Sequence, residues 1–356
     1  MPLHAPPYVR PIRARAWIGL CVAAVGLAAC GRTLHDLSYA QVVERIATNE
    51  CAGAGLAATP MLIALWSPGD TTWIDYPDAT AARLTPDDPV QLGALTTAYL
   101  VPELLQRIGA AGLTLDDVAV PVKSERGETV RDITFRQLLL HRSDLPFVEP
   151  AVGASELDQL LAMNRALVAQ SPTEVKERYR FDHWNYALAD AALSGRGGVA
   201  PAARRPRDIA YTDALPDSTR RTLLALTTTR DRTPRERKPS TLFAPSTAGV
   251  ASAHQLLELL GRLSRENLEA LPSAPTLPDR PRTSIVPGWH RITLKNDEVV
   301  YINAGFTRFF GAAVAYYPYT QTGVVITATE GKRLDCLAMD ILRNLNQNWR
   351  RTPGDE

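Results

Sequence analysis

The sequence predicts a mixed α/β (α+β) chain. One central antiparallel sheet draws its strands from both ends of the mature polypeptide, helices flank it, and an all-helical domain is inserted between. Three observations carry this. Met61 to Trp66 and Thr71 to Tyr76 are strand-like runs on either side of Pro68-Gly69-Asp70, a hairpin signal. The C-terminal part returns to strands: Arg291 to Leu294 and Val299 to Ile302 flank Lys295-Asn296-Asp297, and Phe309 to Tyr317 and Val324 to Thr329 flank Pro318 to Gly323. Between the two groups the apolar residues recur at helical spacing, so the strand groups share one sheet and the helices form the insert.

Each element has a local reason. Ser38-Tyr39-Ala40-Gln41 reads as a capping box, the serine hydroxyl on the third amide and the glutamine reaching back. Tyr39, Val42, Val43, Ile46 and Ala47 then make one apolar helical face. Leu100, Leu104, Leu105 and Ile108 mark a helix opening at Gly93-Ala94-Leu95-Thr96-Thr97; Pro102 inside it removes a backbone donor and is expected to kink it. Thr134-Phe135-Arg136-Gln137 is a second capping box, opening a helix that ends before Ser143-Asp144-Leu145-Pro146. Leu157 to Val168 is helical in pattern. Residues 195 to 240 are rich in Arg and Pro and read as exposed loop. Leu256, Leu257 and Leu260 mark a helix after Ala248-Gly249-Val250-Ala251-Ser252, and a final helix carries Leu334, Leu337, Ile341, Leu345 and Trp349.

The first 29 residues stand apart. Arg10, Arg13 and Arg15, with no acidic residue, precede an apolar run from Ala16 to Ala29, the pattern of a secretory leader and too short for a membrane-spanning helix. Leu27-Ala28-Ala29-Cys30 resembles the bacterial lipobox, where the cysteine is lipidated and becomes the mature N-terminus. The resemblance implies a Cys30 anchor, a tether over residues 30–36 and, because Gly31 is not Asp, an outer-membrane position facing the periplasm. The plainer alternative is an ordinary cleaved leader with Cys30 incidental.

At 356 residues, 45% hydrophobic and 22% charged, the chain can bury a substantial core. Of its 39 basic residues three lie in the leader, leaving 36 against 38 acidic ones, so no basic excess points to nucleic acid. Six histidines and four cysteines include no His-x-x-x-His or Cys-x-x-Cys pair, so no metal or other cofactor is expected. No Gly-x-Ser-x-Gly elbow occurs either.

Gly93-Ala94-Leu95-Thr96-Thr97, then Gly112-Leu113-Thr114-Leu115-Asp116-Asp117, then Ile133-Thr134-Phe135-Arg136-Gln137-Leu138-Leu139-Leu140-His141-Arg142-Ser143-Asp144-Leu145-Pro146 follow one another in an order that resembles the serine β-lactamase and penicillin-binding protein superfamily, its class C and DD-peptidase-like branch above all. There the first stretch is Gly-Ser-x-Thr-Lys. The resemblance covers roughly residues 37 to 350 and implies a sheet domain over 37–93 and 250–356 and a helical domain over 94–249. It also implies that the helices holding Cys51 and Cys336 pack side by side, where the two can form a disulfide; two buried free thiols are the alternative.

The family's chemistry needs a serine hydroxyl one helical turn from a lysine amine that takes its proton. Here those positions hold Ala94 and Thr97, and no lysine of the chain has a serine three residues before it. The second motif, Tyr-x-Asn, aligns on Phe181-Asp182-His183, fixed by Asn185-Tyr186. The general-base phenol becomes Phe181 and the asparagine becomes His183, read as a base or ligand or, more plainly, as a partly exposed histidine beside a vestigial cleft. The third motif, Lys-Thr-Gly or His-x-Gly, falls near Val299-Val300-Tyr301 when counted back from Ala304-Gly305-Phe306, and no such triplet occurs from Trp289 to Gly305.

The degenerate positions are therefore Ala94, Thr97, Phe181, His183 and Tyr301, and no catalytic residue is assigned. The expected protein is an inactive β-lactamase-like periplasmic lipoprotein, attached to the membrane by its lipid. It would bind a peptidoglycan peptide or a periplasmic partner working on the cell wall, with Trp184, Tyr301 and Asn303 as cleft contacts. The rival expectation is an active serine hydrolase, a β-lactamase, D-amino-acid peptidase or esterase, with an unrecognised nucleophile.

Overall fold

A computed structural model describes residues 38–77, 84–149, 154–170, 178–197, 206, 208–227, 242–266, 268–278 and 280–349. The expected leader, Cys30 and the 30–36 tether lie outside the described residues.

Ser38 caps α1 (Tyr39–Arg45) with both capping-box hydrogen bonds in place. The hairpin β1 (Met61–Ser67) and β2 (Asp70–Tyr76) turns at Gly69, whose φ of 86° suits a residue without a Cβ. Short β3 (Val90–Gln91) runs into a 3₁₀ turn, Gly93–Thr96, and then α2 (Thr97–Ala110). The hairpin β4 (Val118–Lys123) and β5 (Thr129–Thr134) follows, then α3 (Phe135–Leu139), opened by the Thr134–Gln137 capping box. Next come α4 (Glu156–Ala169), α5 (His183–Gly197), β6 (Ala210–Tyr211), α6 (Asp217–Thr227), α7 (Ala244–Thr247), β7 (Gly249–Ala251) and α8 (Ala253–Leu263). The chain closes with β8 (Thr283–Val286), β9 (Trp289–Thr293), β10 (Val299–Phe306), β11 (Gly311–Tyr317), β12 (Thr322–Ala328) and α9 (Asp335–Trp349).

The large sheet runs β2-β1-β12-β11-β10-β9-β8, with every neighbouring pair antiparallel. N-terminal β1 thus lies beside C-terminal β12, Ile63 opposite Ile326. Strand alternation gives the sheet two apolar faces. Leu62, Ala64, Tyr301, Val314 and Val325 face α8 and the start of α2, whereas Ile63, Val300, Ile302, Ala315 and Ile326 face α1 and α9. A further core joins α2 to β4–β5, α3, α4 and α5.

Helix α2 belongs to two of these cores. Ala98 and Tyr99 pack with the sheet, and Leu100, Leu104 and Ile108 with the helical part. Each such buried leucine stabilises the fold by about 1.5–3 kcal/mol, so the start of α2 is fixed from both sides. Arg107 adds a 2.6 Å ion pair to largely buried Asp190, tying α2 to α5. The insert leaves and returns through adjacent strands, Val90 opposite Ala251 and Gln91 opposite Val250.

Pro102 lies inside α2, as read from the sequence, on its exposed side. The structure departs from the sequence reading elsewhere: the insert expected to be all-helical also holds the β4–β5 hairpin. Within 195–240, residues 208–227 form β6 and α6 instead of loop, because Ile209, Tyr211, Leu215 and Leu223 bury into the sheet core. Strand β8 has no counterpart in the sequence reading; its four residues are all buried and show no alternation to detect.

Candidate functional site

Sheet and helix meet at the first residues of α2. Strand β10 crosses them so closely that a Cβ at Gly305 would lie 2.6 Å from the Ala94 amide nitrogen, and closer still to the Leu92 carbonyl. Only glycine fits there. Asn303, two residues earlier on the same strand face, turns its amide toward the helix.

The Thr97 hydroxyl donates to the Ala94 carbonyl at 2.8 Å, and Asn303 Nδ2 donates to the Thr97 oxygen at 3.0 Å. The same Nδ2 donates to the Gly288 carbonyl at 2.7 Å. Gly288 ends the Pro287-Gly288 turn between β8 and β9, with φ of 78°, and packs against Val101 one helical turn past Thr97. From α5 the Tyr186 phenol lies beside the Thr97 side chain and the Gly288 backbone; burial pushes its pKa up, and these two neighbours partly oppose that push. Thr97 and Tyr186 are 2% exposed and Asn303 7%.

The result is an uncharged network joining the helix, the strand and the turn, with Tyr186 of α5 beside it. The Thr97 hydroxyl spends its one donor on Ala94 and accepts from Asn303. Thr96 is likewise occupied, donating to the Gly93 carbonyl at 2.6 Å and accepting from the Gly249 amide at 3.2 Å. Half-buried Ala94 presents a methyl group.

The third motif needs a new register. Counting along the sequence placed it at Val299-Val300-Tyr301, but the residues that β10 brings to Ala94 and Thr97 are Asn303-Ala304-Gly305. The glycine of the motif is kept and asparagine stands at its lysine. Tyr301 lies on the same face one alternation away, fully buried among the sheet residues opposite Tyr316 and Arg291, and is no cleft contact. Trp184 is none either: it is buried in the helical core, its indole N–H on the Val148 carbonyl at 2.8 Å and its ring edge-on to Phe243. Of the three expected contacts only Asn303 touches the network, and it is occupied there.

Around the second motif, Phe181 is 40% exposed and lies over the ring of buried His141, 4.7 Å between centroids, with His183 edge-on to it at 5.0 Å. His141 holds a backbone φ of 54°, and its Nδ1 accepts from the Asp182 amide at 3.3 Å and lies 3.1 Å from Asn185 Nδ2. Ser143 donates to the other side of the Asn185 amide, which locks the loop after α3 to the start of α5. Burial lowers His141 to about 3 and His183 to about 4, so both rings are neutral near pH 7. His183 is partly exposed, as read from the sequence, while its Nδ1 is sealed from solvent without a partner and Phe181 lies against its ring.

Sequence reasoning missed Tyr186 and Gly288 as members of the site. The Pro-Gly pair between two apolar runs was a legible turn signal; that its tip would touch α2 was not. Cys51 and Cys336 are joined by a disulfide from the end of the first helical segment to α9. Among the described residues they and Asp340 form the one group with metal-ligand spacing, and both sulfurs are already bonded to each other.

The family model described as Beta-lactamase matches residues 23–346. By sequence, no curated protein matches the chain. Among solved structures, a beta-lactamase/D-alanine carboxypeptidase from Pseudomonas syringae superposes with a TM-score of 0.64 at 14% identity, covering 86% of this chain and 99% of its own. A class C beta-lactamase from Rhodobacter sphaeroides gives 0.60 at 16% identity, over 88% and 100%. SurE with bound D-Leu gives 0.55 at 18%, over 87% and 75%.

Proposed function

The chain belongs to the beta-lactamase family, and from that premise we propose that it is a catalytically silent member, a lipid-anchored periplasmic protein that binds without acylating. One observation carries the reading. Where the family's chemistry calls for a serine hydroxyl beside a lysine amine, this chain offers the Ala94 methyl and a Thr97 hydroxyl that donates to the Ala94 carbonyl and accepts from Asn303. A threonine so placed is neither a base at neutral pH nor free to attack. The burial of Thr97, Asn303 and Tyr186 favours an interaction module over a ligand held deep between strand and helix.

The leader, the Cys30 lipobox and the Cys51–Cys336 bond all support an oxidising, membrane-apposed compartment. The D-amino-acid compounds named for two structural neighbours suggest the ligand class, a D-residue-containing cell-wall peptide or a protein that handles it. The enzyme names of the neighbours favour the rival, an esterase, β-lactamase or D-amino-acid peptidase with another nucleophile.

Gel labelling with a fluorophosphonate and a fluorescent penicillin separates the two. The silent protein stays dark and gains label only when Ala94→Ser and Thr97→Lys are introduced together. Label on the wild-type chain that a single Ser or Thr replacement abolishes establishes the rival. Cosedimentation with purified peptidoglycan tests the ligand class: retention that free stem peptide releases supports it, and none with either excludes it.

A further inference from the structure

On the sheet face opposite Asn303, α9 lies over β11 and β12 and reaches only the near side of β10, leaving a groove along its flank over β9. Two cavities of about 260 and 720 Å³ adjoin there and share Ile292 and Met339 in their walls. Ile302 and Ala304 floor the first, and Val300 and Leu342 the second. That size and an apolar floor suit one small organic ligand.

The rim is strongly one-signed. Arg280 and Arg333 border the first cavity and Arg282, Lys295 and Arg343 the second, while Asp335 is the one carboxylate among the described residues lining either. Arg333 pairs with Asp335 and Arg343 with Asp340, both at 2.8 Å. No carboxylate among the described residues pairs with Arg280, Arg282 or Lys295. The whole chain has a formal charge of only +1, so this excess is local. An apolar trough with free cations at its edge complements a molecule that is hydrocarbon along its length and anionic at one end.

We propose that this groove is a second binding site, for a single-chain anionic amphiphile of the fatty-acid class. The hydrocarbon lies on Ile292, Ile302, Met339 and Leu342, and the carboxylate meets Arg282 and Lys295. The site is separate from the Ala94–Thr97 region and stands whether or not that region is silent.

The test uses the full chain carrying Cys30→Ser, so that no acyl group of its own competes, and laurate displacing a fluorescent fatty-acid probe. Laurate should displace the probe, with dodecanol at least roughly tenfold weaker and acetate inert. Myristate should bind several-fold tighter than laurate, as expected for extra buried methylenes. The pair Arg282→Ala/Lys295→Ala should weaken laurate roughly tenfold or more while leaving the melting temperature unchanged, both side chains being exposed. A photoreactive fatty acid should mark peptides from β9, β10 or α9. Equal affinity for dodecanol, no response to the double replacement, or crosslinks confined to other elements would overturn the proposal. So would binding of an acidic peptide with no displacement by laurate.

Discussion

Asn303 Nδ2 lies 3.0 Å from the Thr97 hydroxyl and 2.7 Å from the Gly288 carbonyl, so a single amide ties the sheet, the helix and the β8–β9 turn together. Where the family's mechanism sets a charged lysine against a serine, this chain sets a neutral side chain whose hydrogen bonds are structural. Replacing it by a similar-sized apolar residue, Asn303→Leu, leaves the buried Gly288 carbonyl without its donor. The expected loss is about 1–3 kcal/mol in urea denaturation. An unchanged midpoint would mean the network carries no stability.

Gly305 makes a steric prediction. A methyl group there would overlap the backbone of Leu92 to Leu95, whereas at Gly53 it would meet nothing within 4 Å. Gly305→Ala should therefore destabilise by several kcal/mol, or fail to fold, and Gly53→Ala should leave the melting temperature within a degree or two. Equal effects of the two would refute the close strand–helix approach.

Acid should loosen the second-motif region. His141 and His183 have folded pKa values lowered by burial to about 3 and about 4, against 6.5 unfolded. The unfolded chain therefore binds protons first. Stability is intact above roughly pH 6.5 and falls from there toward pH 4, by roughly 1 kcal/mol per pH unit for each ring. His183→Gln should flatten that limb in denaturant titrations at pH 4.5 to 7. A limb of unchanged slope in the variant would show that other groups produce it.

The Cys51–Cys336 bond closes a loop with a sequence separation of 285 residues, which greatly restricts the unfolded chain. Removing it by Cys51→Ala with Cys336→Ala should cost about 2–5 kcal/mol. Reductant should lower the melting temperature of the wild type toward that of the variant and leave the variant unmoved. A wild type indifferent to reductant would contradict a structural role for the bond.

What the sequence made legible is local. The Ser38 and Thr134 capping boxes, the Pro68-Gly69-Asp70 hairpin and the strand groups at both ends each follow from a few neighbouring residues, and the structure has them all. The absence of serine and lysine at Ala94 and Thr97 was equally local. The network was not. Asn303 and Thr97 are 206 residues apart, and their contact depends on the register of β10, which slipped by four residues when counted back from Ala304-Gly305-Phe306. Trp184 and Tyr301 looked available because their types are common in binding sites; only packing reveals that one props the helical core and the other the sheet. Cavity walls drawn from β9, β10 and α9 have no sequence signature at all.

The intact mass of the protein after prolonged exposure to excess benzylpenicillin tests the central claim most directly, because acylation adds the whole mass of the drug to one residue. The Ala94 methyl and the Thr97 hydroxyl held between Ala94 and Asn303 predict an unchanged mass at every time and concentration. A stoichiometric penicilloyl adduct, mapped to a serine or threonine near the start of α2, would contradict it.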